Sequence, residues 1–169
     1  MAEGTPIITL GLNHIVLWVR DAEASAAFYT EALGLEAANE MPGAVFMRAP
    51  GAGNDHDLGL FTAPSPLSDV PRAVGMYHMA WEVPTLDVLA ERATALRDLG
   101  ALVGASDHGA TKSLYAHDPD GIEFEVMWQV PAHLQTAADD LKTTALDLAA
   151  EIARFGGQTQ SGTRTPAPT

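Results

Sequence analysis

Two histidines and one glutamate invite a chemical reading, because strand alternation aims them the same way. His14 sits in Asn13-His14-Ile15-Val16-Leu17-Trp18-Val19, and His78 in Tyr77-His78-Met79-Ala80-Trp81-Glu82-Val83. Successive side chains of a strand point to opposite faces. His14, Val16 and Trp18 therefore oppose Ile15, Leu17 and Val19, while His78, Ala80 and Glu82 oppose Met79, Trp81 and Val83. The uniformly apolar row in each belongs against a helix, which leaves both histidines on the concave side. Farther along, Ile122, Phe124 and Val126 form a third apolar row, so Glu123, Glu125 and Met127 turn to the histidine side. A carboxylate among so much apolar surface is costly unless paired, and a metal ion is the usual remedy. Two imidazoles and one carboxylate make the facial triad of non-haem iron(II) sites, with positions left open for substrate and dioxygen. Each residue also has an ordinary reading: a packed or solvated strand histidine, or Glu125 paired with Lys112 or Arg48. The joint placement of His14, His78 and Glu125 favours the metal, with Glu123, beside a turn at the strand's start, the weaker carboxylate.

The elements that must position these residues come as a repeat. Each histidine strand is followed by a helix-like segment ending in Leu-Gly, at Leu33-Gly34 and Leu99-Gly100, where glycine suits a left-handed C-cap. The first helix opens with Asp21 as N-cap and places Ala24, Phe28 and Leu33 near one face. The second opens with Thr85 and carries Leu86, Leu89, Ala93 and Leu96 three or four residues apart. Short strands follow in both halves: 35–39, 44–48 and 57–62, then 101–104, 113–117 and 122–128. Pro42-Gly43, Pro50-Gly51 and Asp118-Pro119-Asp120-Gly121 supply turns between them. The expected fold is α+β, with two βαβββ modules (7–65 and 75–130) pairing their sheets into one curved cleft as a single domain, 7–130. Residues 66–74 read as the linker. A segment over 131–156 follows, with a helix from Ala132 to Phe155 in which Leu134, Leu141, Leu148 and Phe155 recur every seven residues. That stripe suits packing on its own domain or on a partner chain. Residues 157–169, rich in Gly, Ser, Thr, Gln and Pro, read as a disordered tail.

Composition narrows the function classes. At 169 residues and 47% hydrophobic, the chain can bury a core, and no run reaches the ~18 apolar residues of a membrane span. It has no cysteine, so any metal must be held by His, Asp or Glu. With 9 basic against 22 acidic residues, net −13, its surface repels phosphate backbones and nucleic acid is not an expected partner. The N-terminus lacks a basic region followed by an apolar run, so a cytoplasmic location is expected.

The stretch from Leu10 to Trp128 resembles the vicinal oxygen chelate superfamily, which includes glyoxalase I, bleomycin- and fosfomycin-resistance proteins and type I extradiol dioxygenases. Its most specific part runs from Asp107-His108-Gly109 through Ser113-Leu114-Tyr115 to Asp118-Pro119-Asp120-Gly121 and Glu125, and is similar to catechol 2,3-dioxygenase-type members. The resemblance implies metal ligation by His14, His78 and Glu125. It further implies an acid–base role for His56, in Asp55-His56-Asp57-Leu58-Gly59-Leu60-Phe61, and substrate-oxygen contacts from His108 and Tyr115. His117 and His133 match no functional position and read as solvated. Where the family motif often has a first histidine, this chain has Asp55. Glyoxalase I adds a second glutamate on the last strand of its first module, whereas Leu58-Gly59-Leu60-Phe61 offers no carboxylate there. The activity implied by the resemblance is extradiol cleavage of a catechol-type aromatic diol by O2, with Fe(II) as cofactor (Mn(II) as second choice), in a homodimer. Trp18, Phe46, Met47 and Met127 are candidates for an apolar wall around the ring. The alternatives are another metalloenzyme of the superfamily (an isomerase, a lyase or a fosfomycin-type thiol transferase) or a protein that sequesters an aromatic antibiotic.

Overall fold

The computed structural model describes residues 12–50, 52, 56–64, 76, 78–136 and 143–162. The chain divides into two compact units, residues 1–30 with 34–67 and residues 31–33 with 68–169. The linker expected over 66–74, residues 7–11 and Asp55 lie outside the described residues.

The βαβββ order occurs twice, as the repeat predicts. The first module comprises β1 (Ile15–Val19), α1 (Ala22–Leu33), β2 (Glu36–Met41), β3 (Ala44–Arg48) and β4 (Leu58–Thr62). Its sheet runs β1-β4-β3-β2, with β1 parallel to β4 and the other pairs antiparallel. The second comprises β5 (Met79–Glu82), α2 (Leu86–Asp98), β6 (Leu102–Asp107), β7 (Thr111–His117) and β8 (Glu123–Gln129). Here β5 runs parallel to β8, and β8, β7 and β6 follow antiparallel. A parallel first strand is what lets each module's opening histidine and its closing strand lie side by side.

Local chemistry sets the helix limits. The Asp21 side chain accepts from the Ala24 amide at 2.8 Å, and Gly34, at φ 75°, ends α1 by donating its N–H to Thr30 O. Thr85 caps α2 through Val88 N, and Leu86, Leu89, Ala93 and Leu96 are buried as their spacing requires. α2 packs on β8 and β6. In α1 the buried row is Ala22, Ser25, Ala26, Tyr29 and Ala32, whereas Ala24 is exposed. Alanines occur all round this helix, so apolarity does not fix its phase, and Tyr29 decides which face turns inward. Buried and open rows alternate in both sheets: the buried ones are Leu17, Val19, Leu58, Leu60, Val45 and Met47 in one, Leu114, Ala116, Phe124, Val126 and Trp128 in the other. Met47 is therefore core, since it alternates with Phe46, and is no part of an apolar wall.

The single helix expected from Ala132 to Phe155 does not form. Ala132–Leu134 is a 3-10 turn, Thr144–Ala145 is a strand (β9) and only Leu148–Phe155 is α-helical (α3); residues 137–142 lie outside the described residues. The heptad spacing is real, but the β-branched pair Thr143-Thr144 suits an extended chain, and β9 joins the edge of β6 through Asp107↔Thr144 and Ser106↔Ala145. Asp147 then starts a fresh helix by accepting from Ala150 N at 3.0 Å. α3 packs on α2, and Phe155 meets Trp128 with ring centroids 5.5 Å apart, so this helix is covered within its own unit. The disordered tail expected over 157–169 is also corrected in part. Trp128 Nε1 donates to Thr159 O at 3.1 Å, Gln160 bridges to Thr85, and Ser161 Oγ accepts from Gln129 N at 2.9 Å. Residues 163–169 lie outside the described residues. Among the described residues no helix is long and apolar enough to cross a membrane.

Candidate functional site

In the first unit, His14 sits immediately before β1. Its Nδ1 lies 2.8 Å from Asn13 Oδ1. With the amide oxygen accepting the Nδ1 proton, Nε2 keeps the lone pair a metal needs. His56, at the approach to β4, stacks beside it with ring centroids 4.5 Å apart. An aromatic row continues from this pair: Phe46 lies 5.0 Å from His56, Phe61 5.5 Å from Phe46, and Trp18 5.9 Å from Phe61. The parallel register Val16↔Gly59 and Trp18↔Phe61 builds that face, and Gly59 keeps it open between them, since a Cβ there would stand 3.3 Å from Val16. Trp18 is 57% exposed, so the row is a surface and not core. Phe61 belongs to it unforeseen, although alternation along β4 carries the signal.

In the second unit, His78 precedes β5 and reaches the outward row of β8. Its Nε2 lies 3.2 Å from Glu125 Oε2, and its Nδ1 lies 3.5 Å from Glu123 Oε1. The two carboxylates thus meet opposite ring nitrogens. Neighbouring ligands on an octahedral ion with bonds of about 2.1 Å stand about 3.0 Å apart, so the His78–Glu125 pair has the separation of two adjacent ligands. Glu123 has a different place, its Oε1 facing the far ring nitrogen of His78. It also draws in His117, whose Nε2 lies 3.7 Å from Glu123 Oε2, so His117 is half-exposed but engaged. Of the two alternative partners for Glu125, Lys112 fails on geometry. Lys112 lies on the opposite face of β7, fully buried, with its Nζ 2.5 Å from Asp107 Oδ1 and 3.1 Å from Glu151 Oε2.

Tyr115 stands across the β7–β8 ladder from Glu125, and its ring centroid is 5.8 Å from that of His78. His108 Nε2 lies 2.8 Å from Tyr115 Oη, and His108 Nδ1 lies 3.1 Å from Thr143 Oγ1. The structure therefore gathers His78, Glu125, Tyr115 and His108 in one unit, and His14 with His56 in the other. Among the described residues, no three or more His, Asp or Glu side chains form a ready metal-holding group. Thr143 was not foreseen and carries no local signal, because it lies 35 residues from His108 in a stretch whose spacing reads as helix.

Comparison with known proteins gives a family. The family model described as Glyoxalase/Bleomycin resistance protein/Dioxygenase superfamily matches residues 11–126. Biphenyl-2,3-diol 1,2-dioxygenase 3 of Rhodococcus globerulus is 33% identical over 117 residues, covering 68% of this chain and 60% of that protein. Biphenyl-2,3-diol 1,2-dioxygenase 2 of the same organism is 34% identical over 110 residues, covering 64% and 57%. The matched region thus spans only about 60% of the length of these relatives. The crystal structure of lactoylglutathione lyase from Agrobacterium tumefaciens superposes with a TM-score of 0.54 at 25% identity, covering 70% of this chain and 93% of that one. The match runs through both βαβββ modules and most of each sheet, and on that ground the chain belongs to the glyoxalase/bleomycin resistance protein/dioxygenase superfamily.

Proposed function

We propose that the chain is a metal-dependent extradiol dioxygenase, opening the ring of a catechol-type aromatic diol with O2. The observation that carries this reading is the His78–Glu125 contact at 3.2 Å with Tyr115 beside it. The two dioxygenase relatives support it. His14, His78 and Glu125 would hold the ion, Fe(II) by preference and Mn(II) as second choice. Such an ion supplies the Lewis acidity that lowers the pKa of a diol hydroxyl and a path for electrons from diol to O2. The chain's own residues handle protons and position. His56 accepts the proton that the diol releases and returns it when the O–O bond breaks. Tyr115, backed by His108, hydrogen-bonds a diol oxygen and stabilises the charge that develops on it. Trp18, Phe46 and Phe61 offer ring faces and edges to an aromatic substrate. In the net reaction the ring C–C bond beside the diol and the O–O bond both break. Both oxygen atoms enter the product, from catechol a 2-hydroxymuconic semialdehyde, whose new carboxyl group ionises and releases one proton at neutral pH.

The test is anaerobic loading with ferrous iron, then oxygen uptake with biphenyl-2,3-diol and with catechol. One O2 consumed per diol, with a product absorbing in the near-ultraviolet or visible, is expected. Stoichiometric iron without oxygen uptake on either diol would overturn the reading. A glyoxalase-type isomerase or lyase is the second reading, favoured by the likeness to lactoylglutathione lyase, but β4 (Leu58–Thr62) provides no fourth carboxylate ligand. A fosfomycin-type thiol transferase needs cations for a phosphonate, and Lys112 is buried on the other face of its sheet. Sequestration of an aromatic antibiotic would show as drug binding without metal. A homodimer in the cytoplasm completes the proposal, resting on the family resemblance.

A further inference from the structure

We infer that Thr143, delivered by the C-terminal strap (residues 143–162), is a positioning residue for His108, so that a segment beyond the family match completes the candidate site. This rests on the dioxygenase reading only for its effect on turnover. Three observations carry it. Both ring nitrogens of His108 are engaged, Nε2 by Tyr115 Oη at 2.8 Å and Nδ1 by Thr143 Oγ1 at 3.1 Å, so the imidazole is held at both ends. The register delivers Thr143 there: antiparallel pairing of Thr144 with Asp107 sets the residue before β9 against the residue after β6. And the strap is anchored from below. Lys112 Nζ joins Asp107, next to His108, to Glu151 of α3, and it also donates to Gly109 O at 3.0 Å. Asp107 Oδ1 accepts from Gly109 N at 2.8 Å, so the hairpin that carries His108 is tied to the same buried cation. Thr143 and Glu151 both lie beyond residue 126, where the family match ends.

An imidazole held at one nitrogen only can swing about its side-chain bonds; held at both, it keeps one orientation, and so does the Tyr115 hydroxyl it meets. The experiment compares the whole chain with its T143V and T143S variants. Thr143 is exposed, so neither substitution threatens folding. In the parent, the His108 ring protons should give one set of shifts displaced by the edge-on Tyr115 ring, 6.2 Å away at 90°. In T143V that displacement should shrink as the ring swings, with T143S restoring it. With ferrous iron and biphenyl-2,3-diol, T143V should lower kcat about two- to tenfold, the worth of one neutral hydrogen bond, with KM moving less and T143S recovering the loss. Ring shifts unchanged by T143V would overturn the positioning role. If the parent turns over no diol, the dioxygenase reading falls, and the ring shifts by themselves decide the role of Thr143.

Discussion

Replacing Lys112 with methionine tests the energetics of the second unit. The ammonium is fully buried, 2.5 Å from Asp107 Oδ1, 3.1 Å from Glu151 Oε2 and 3.0 Å from Gly109 O, with the Phe155 ring centroid 5.7 Å away. Methionine fills most of its volume, so little cavity is created. What changes is charge: two carboxylates, on Asp107 at 4% exposure and on a Glu151 side chain at 13%, lose their cation. Breaking a buried ion pair from one side costs about 3–5 kcal/mol, because the remaining charge is desolvated and unpaired. That is a large part of the roughly 5–15 kcal/mol that holds a typical domain together. For a chain of this length each kcal/mol moves the melting midpoint by about 2–4 °C, so K112M should melt roughly 6–20 °C lower. Thermal melts followed by far-ultraviolet circular dichroism read this directly. The triple variant K112M/D107N/E151Q removes the stranded charges and should recover at least half of the loss, since an uncharged buried group of the same shape needs no counterion. A triple variant as unstable as the single one would refute the charge argument and point to packing instead. A K112M midpoint within about 2 °C of the parent would show that the lysine reaches water.

The proposed ligand set, His14, His78 and Glu125, predicts a graded metal response. E125Q should abolish stoichiometric iron binding, whereas E123Q should weaken it about 10–100-fold, the usual effect of losing a carboxylate that orients a ligand; competition with a chromophoric chelator measures both. H56A should keep its metal but lose about 10²–10⁴ in turnover, read from metal analysis alongside an oxygen electrode, and loss of metal would remove His56 from the proton-handling role. Because Trp18 is 57% exposed, W18A should change stability by no more than about 0.5 kcal/mol while raising the KM for biphenyl-2,3-diol. Equal KM values would place the ring elsewhere.

Much of the module was legible from residues alone because its signals are local. Asp21, Thr85 and the Leu-Gly ends mark helix limits through caps that depend on neighbours in sequence, and alternation in Glu123–Gln129 fixed which side chains face outward. The phase of α1 was not legible, since its alanines surround the axis and only burial of Tyr29 selects a face. The C-terminal segment misled for a different reason. Leu134, Leu141, Leu148 and Phe155 keep a helical spacing, yet Thr144 and Ala145 find a free sheet edge in β6, and a tertiary ladder outweighs a weak periodicity. At the site, the partnership of His78 with Glu125 followed from the repeat. Which ring nitrogen Glu125 and Glu123 each face did not, being a matter of about 3 Å that no spacing rule reaches.

The parallel ladders have a bearing on how the protein is made. Among the described residues, the first strand of each module's sheet pairs with the last alone, Ile15 with Leu58 and Met79 with Phe124, so a ribosome must deliver more than forty further residues before that ladder can form. His14 and His78 immediately precede those late-docking strands. On the proposed reading, an ion held by His14, His78 and Glu125 would find those ligands together only after both ladders have formed.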